Sequence, residues 1–293
     1  MMTILGIWQI KNLVSWKLDF DQEIFRKLLK FSVPLIPFSL IGYFSTSYLD
    51  AIFISQYLDK TELGIYSVAY QINGILMQFP VLAGSLLMPL FVTLQGNKQD
   101  ETIKKYIADV LPLITLFWGL ACVLVAILGE FFIPTIFGNA VVKSSEILWI
   151  LVLSSAIAAP SLFGYVPFIN SVSATYIGTL MAIVSAFVNI LANYFLIPRY
   201  GIVGCAWATV LAYFATFILV LALCHTRFSL AYRWVFQAIL PAIICCYCYS
   251  ITRWLNLSLL LLITCSAILI LFYWKSIVKA LTIISIFRRL TSN

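Results

Sequence analysis

Between Ile147 and Pro198 the chain runs for 52 residues without one charged side chain. As a single straight helix that stretch would be roughly 78 Å long at about 1.5 Å per residue, more than twice the ~30 Å of hydrocarbon in a bilayer. It must therefore reverse direction within itself. Only Asn170, Ser171, Val172 and Ser173 offer the small polar residues that a turn needs. The rest of the chain has the same character: it is 63% hydrophobic and 10% charged, with mean hydropathy +1.04. A soluble domain is roughly half apolar and about a quarter charged, so a water-soluble enzyme, a disordered chain and a disulfide-rich secreted fold are excluded. The apolar residues form unbroken runs without period-two alternation, which argues against an outer-membrane barrel. What remains is an all-α, polytopic membrane helix bundle.

A spanning helix needs about 20 mostly apolar residues. Runs of that kind lie at 33–58, 63–94, 107–128, 147–169, 176–197, 203–224, 234–251 and 255–274, giving eight expected spans. Residues 59–62 separate the first two, a linker or re-entrant stretch holding Pro134 follows the third, and residues 198–201 end the fifth. Trp234, Trp254 and Trp274 stand 20 residues apart, the spacing of aromatic anchors at an interface. By this reading residues 1–30 are a cytoplasmic linker or surface segment, 31–225 hold six transporter helices, 226–275 add two more, and 276–293 are a tail. Residues 3–10 are apolar but too short to span, and no small-residue cleavage site follows, so they do not read as a signal peptide.

Charge sets the topology. Residues 1–146 carry 10 basic and 11 acidic side chains, whereas residues 147–293 carry 8 basic and none acidic. The basic residues stand singly or in pairs between apolar runs, as membrane-flanking charges do and as a nucleic-acid surface does not. Taken loop by loop they alternate, with 14 on one side of the membrane and 4 on the other. The positive-inside rule then places both termini, the loop of Lys98, Lys104 and Lys105, and the loop of Arg227 and Arg233 in the cytoplasm.

Asp50 is the one clearly intramembrane ion, nine residues from Asp59 at the boundary and thus roughly 13 Å deep. A carboxylate at that depth costs about 2.5–3.5 kcal/mol on insertion scales. Two roles are open to it: a hydrogen-bonded tie between helices, or a proton- or cation-binding group on a transport path. Ser39, Tyr43, Ser47 and Asp50 share one helix face. Ser67, Gln71, Gly74, Gln78 and Ser85 form a second polar stripe, and Ser185, Asn189 and Asn193 a third. Amides and hydroxyls facing lipid lack partners, so three stripes and a carboxylate point to a shared cavity. Prolines at 34, 37, 80, 89, 112, 160, 167 and 241 permit kinks in or beside spans.

The remaining reactive residues form no pattern that calls for a metal or a cofactor. All seven cysteines lie within expected spans, and Cys245, Cys246 and Cys248 project in different directions around one helix. His225 stands beside Arg227 with no acid or second histidine near, and no Gly-rich phosphate loop, HExxH motif or Ser/His/Asp set is present.

Two segments carry a family resemblance. One is Leu-Leu-Lys-Phe-Ser-Val-Pro-Leu-Ile-Pro from Leu28, followed by Tyr48, Leu49 and Asp50 and by Glu-Leu-Gly-Ile-Tyr-Ser-Val-Ala-Tyr from Glu62. The other is Asn-Tyr-Phe-Leu-Ile-Pro-Arg-Tyr-Gly-Ile-Val-Gly-Cys-Ala-Trp-Ala-Thr from Asn193 to Thr209. Over residues 25–225 the order and spacing of these segments resemble the second half of bacterial polysaccharide (O-antigen type) flippases. The resemblance implies a member of the multidrug/oligosaccharidyl-lipid/polysaccharide exporter superfamily. Such proteins move undecaprenyl-pyrophosphate-linked oligosaccharide to the outer leaflet of the bacterial inner membrane by alternating access, driven by an ion gradient.

The family pattern has twelve to fourteen helices in two lobes, so the chain is expected to be a carboxyl-terminal portion lacking the first lobe. A missing amino-terminal lobe or a second copy would then complete it, with the lipid bilayer and the lipid-linked oligosaccharide as its other partners. In that reading Asp50 binds the coupling ion, and Tyr43, Ser47, Gln71, Gln78, Asn189 and Asn193 line half the cavity. Competing readings are a membrane polysaccharide polymerase or glycosyltransferase, a drug exporter of the same superfamily, and an inactive remnant.

Overall fold

A computed structural model describes residues 21–33, 49–232, 234–235, 237–244 and 246. Among these every regular element is helical: α1 (Gln22–Ser32), α2 (Leu49–Tyr57), α3 (Lys60–Gly96), α4 (Asp100–Lys105), α5 (Leu111–Phe137), α6 (Lys143–Pro160), α7 (Val166–Ser171) and α8 (Thr175–Phe228). Two π-helical turns, Tyr106–Val110 and Ser161–Tyr165, join α4 to α5 and α6 to α7. Both lie beside a proline, Pro112 or Pro160, where a missing N–H already disturbs the hydrogen-bond ladder. Among the described residues four continuous helical bodies are long and apolar enough to cross a membrane: Lys60–Gly96, Asp100–Phe137, Lys143–Ser171 and Thr175–Phe228. The expected span 255–274 lies wholly outside the described residues, and 33–58 and 234–251 lie partly outside them.

The reversal demanded by the charge-free stretch is present, and so is the break expected at residues 198–201. α7 stops at Ser171, Ser173 takes the left-handed conformation at φ 57°, and α8 starts at Thr175. α8 is 54 residues long but is broken at Gly201, where φ 60° and ψ −141° leave the helical region. That combination is open to glycine and costly for any residue with a Cβ. The two arms fold back on each other, because Asn193 and Thr209 reach the same Asp50 carboxylate at 2.9 and 3.0 Å. In a straight helix those 16 residues would separate them by roughly 24 Å. Gly204 makes the reversal tight, since a Cβ there would run into the Leu196 carbonyl.

The region around Pro134 departs from the expected linker. α5 continues through Pro134 to Phe137 and ends at Gly138, φ 84°. The proline falls in the last turn, and its own carbonyl still accepts from the Gly138 N–H at 3.0 Å. α1 is a short amphipathic helix capped by Asp21, whose side chain accepts from the backbone N–H groups of Glu23 and Ile24. It exposes Ile24, Phe25, Leu28 and Leu29 on one face.

The core is built around the body containing α6, 89% of whose most apolar window is buried, against 22% for α3. Ile147, Leu148, Leu151, Val152 and Ala159 of α6 are at most 1% exposed. Small residues let neighbours approach: a Cβ on Gly84 of α3 would strike the Leu162 carbonyl of the second π turn. Two polar ties link α6 to α3, Ser144 Oγ to the Ile65 carbonyl at 2.7 Å and Ser155 Oγ to Asn73 Oδ1 at 2.6 Å.

The turns sort onto two ends of the bundle. Lys143 and Glu62 pair at 3.4 Å, and Gly201 lies next to Leu58, so the turns at 59–62, 138–143 and 201 share one end. At the other end Gln95 Nε2 donates to Ser171 Oγ at 2.8 Å, and the Phe168 and Phe228 rings meet at 5.1 Å.

Candidate functional site

Asp50 is completely buried, and both of its carboxylate oxygens are used. Oδ1 accepts from the side-chain amides of Asn193 at 2.9 Å and Asn189 at 3.2 Å. Oδ2 accepts from the hydroxyls of Tyr66 at 2.7 Å and Thr209 at 3.0 Å. The donors come from α3 and from both arms of α8, so one side chain of α2 ties three other helical segments together. Asn193 Nδ2 also donates to Asn189 Oδ1 at 3.0 Å, one helical turn away, which fixes the pair of amides relative to each other. Among the described residues no lysine or arginine pairs with Asp50; every partner is neutral. Asn193 Oδ1 is buried without a hydrogen-bond partner among them.

The four segments meet because their turns lie at one level. Asp50 and Tyr66 stand eight residues before and after Leu58, and Asn193 and Thr209 stand eight residues before and after Gly201. Leu58 and Gly201 are neighbours at one end of the bundle, so Asp50, Tyr66, Asn193 and Thr209 lie roughly 12 Å below that end, with Asn189 one helical turn deeper. Inserting a carboxylate there costs about 2.5–3.5 kcal/mol. Four interhelical bonds at the ~0.6 kcal/mol average of membrane pairs offset most of that cost. The result is a closed clamp: a cation reaches the carboxylate only when one of its donors moves aside.

Of the residues singled out in the sequence, the structure brings Asp50, Asn189 and Asn193 together. Tyr43 and Ser47 lie outside the described residues. Gln71 and Gln78 do not join Asp50; they sit exposed on the outer face of α3, in line with Ile75, Phe79, Leu82 and Leu86. The face of α3 that turns inward is the neighbouring one, with Tyr66, Asn73 and Gly84. Tyr66 and Thr209 escape a search for polar stripes because each shares its buried face with just one other polar residue seven positions on, Asn73 and Thr216, amid apolar neighbours. The signal that finds them is depth, the equal eight-residue distance from the two turns. Among the described residues Cys122, Cys205, Cys224 and Cys246 are not joined in disulfides.

Above the clamp, at the Leu58 and Gly201 end, is an open cleft of about 690 Å³. Its walls include Tyr57, Asp59, Glu62, Lys143, Glu146 and Tyr200. Asp50 does not line it.

Residues 1–146 match a family described as polysaccharide biosynthesis protein. The chain is 26% identical over 199 residues to a protein named as a probable low-salt glycan biosynthesis flippase from Haloferax volcanii, which covers 64% of this chain and 39% of that protein. It is 23% identical over 206 residues to a protein of Methanocaldococcus jannaschii named as an uncharacterized membrane protein, covering 69% of this chain and 40% of the relative. The chain thus spans about two fifths of the length of these relatives. No solved structure matches it. The helices long and apolar enough to span, together with these similarities, support a membrane role related to polysaccharides, and over part of the chain's length the matches support a polysaccharide flippase family.

Proposed function

We propose that this chain is a lobe of a transporter that moves undecaprenyl-pyrophosphate-linked oligosaccharide across the bacterial inner membrane by alternating access, with both termini cytoplasmic. The observation that carries this reading is the Asp50 clamp: a buried carboxylate in an expected span, held among the described residues by neutral donors only, on which α2, α3 and both arms of α8 converge.

Such a clamp is a two-state element that a cation biases. With Asp50 ionised, its four bonds are charge-assisted and hold the segments closed. When a proton or an alkali cation neutralises the carboxylate, those bonds weaken and the α8 arms are freed to part from α2. The oxygens of Asp50, Asn189, Asn193 and Thr209 are hard ligands that suit a proton or an alkali cation. The exposed stripe of Gln71 and Gln78 then faces water or a partner rather than lipid, and it is the surface along which a sugar chain passes.

The test is genetic and chemical. Deleting the gene, or replacing Asp50 with Asn in the full chain, is expected to abolish surface glycan and to leave lipid-linked oligosaccharide accumulated on the cytoplasmic leaflet. Unchanged surface glycan with no accumulation in the deletion strain would overturn the reading.

A further inference from the structure

The cleft at the Leu58 and Gly201 end is independent of the clamp in its lining but not in its framework. α2 supplies Tyr57 to the cleft and Asp50 to the clamp. α3 supplies Glu62 and Tyr66, the first arm of α8 supplies Tyr200 and Asn193, and the second arm supplies Ile202 and Thr209. Every segment that bonds to Asp50 thus also forms part of the cleft wall, about two helical turns away.

The chemistry of that wall is specific. Its volume of about 690 Å³ falls within the range of about 300–1,000 Å³ that small-molecule sites occupy. Tyr57 and Tyr200 are 39% and 62% exposed and offer ring faces and hydroxyls. Asp59, Glu62 and Glu146 supply acceptor-only carboxylates, and Lys143 supplies donors. Aromatic faces pack against the C–H surfaces of pyranose rings, while carboxylates accept from ring hydroxyls in charge-assisted bonds. Three carboxylates against one ammonium leave the wall net negative, which repels a diphosphate or a uronic acid.

We propose that this cleft is a saccharide-binding site, selective for neutral or amino sugars, that takes the glycan part of the transported molecule and excludes its diphosphate. The assignment rests on the flippase reading for its biological ligand, but its test does not require transport. Because the cleft and the clamp share their walls, a sugar seated between Tyr57 and Tyr200 holds together the segment ends that the Asp50 clamp holds lower down.

The experiment is calorimetric titration of the full chain in lipid nanodiscs with maltose, N,N′-diacetylchitobiose, chitosan disaccharide, a glucuronate-containing disaccharide and inorganic pyrophosphate. At least one neutral or amino disaccharide is expected to bind in the millimolar range, with pyrophosphate and the uronate failing to bind or to compete. Tyr200→Ala is expected to weaken that binding by about tenfold without lowering the melting temperature, because the side chain is largely exposed. Glu146→Gln is expected to reduce the discrimination against the uronate.

Binding of no sugar, preferential binding of pyrophosphate, binding of Mg²⁺ or Ca²⁺ alone, or sugar binding untouched by both Tyr200→Ala and Tyr57→Ala would each overturn the proposal. The two readings fail separately. Sugar binding in a chain whose deletion leaves glycan export intact would remove the flippase role and keep the cleft; the converse pair of results would remove the cleft alone.

Discussion

Two polar surfaces of this bundle look equivalent in sequence and are opposite in structure. The stripe of Asn189 and Asn193 turns inward onto Asp50 and is fully enclosed, whereas the stripe of Gln71 and Gln78 on α3 stays exposed beside large apolar side chains. The enclosed surface contributes cohesion, since every donor in it has the same acceptor. The exposed one makes no side-chain hydrogen bond among the described residues and keeps that capacity for something else. Amide groups in a spanning helix therefore mean different things according to whether a charged partner lies at the same depth.

Substitutions can break or sharpen that contrast. Asp50→Ala should be the most damaging, because it strands two amides and two hydroxyls in a buried site; a loss of about 3–5 kcal/mol is expected, read as a collapse of the thermal melt in detergent. Gly201→Ala comes next, at about 1–3 kcal/mol, since alanine at φ 60° and ψ −141° is strained and the α8 arms must separate to relieve it. Thr209→Val keeps the shape and removes one of the two hydroxyl donors to Oδ2, so a loss of about 1 kcal/mol is expected. The pair Gln71→Leu and Gln78→Leu should leave the melt within about 0.5 kcal/mol of the parent while reducing glycan export. If that last pair destabilised the protein as strongly as Thr209→Val, the exposed stripe would be a structural surface and the contrast would fail.

Much of this arrangement was legible in the residues. The reversal at Asn170 to Ser173 follows from the length of the charge-free run, and the break at Gly201 from the Pro198 to Gly201 sequence, because the apolar run that follows must re-enter the bilayer. Asp50 and its two asparagines stood out as polar groups at membrane depth. Gln71 and Gln78 were grouped with them because helical periodicity fixes which residues share a face but not which neighbour that face meets. Tyr66 and Thr209 form no stripe for the complementary reason: each sits on a mostly apolar buried face, and its place is set by the distance to a turn. Pro134 reads as a break because a proline inside an apolar stretch resembles one, yet α5 runs through it for one more turn before Gly138 ends the helix.

The most direct measurement of the account uses Asp50→Asn, which removes the charge and keeps the shape. Asparagine retains an acceptor for the amides of Asn189 and Asn193, and the Tyr66 and Thr209 hydroxyls can rotate to accept from its amide, so the fold should survive. Full-length chain in proteoliposomes, supplied with fluorescent lipid-linked oligosaccharide, would be assayed under an imposed proton or sodium gradient. The account predicts gradient-stimulated translocation by the parent and none by Asp50→Asn at an unchanged melting temperature. Equal gradient stimulation in both proteins would contradict it.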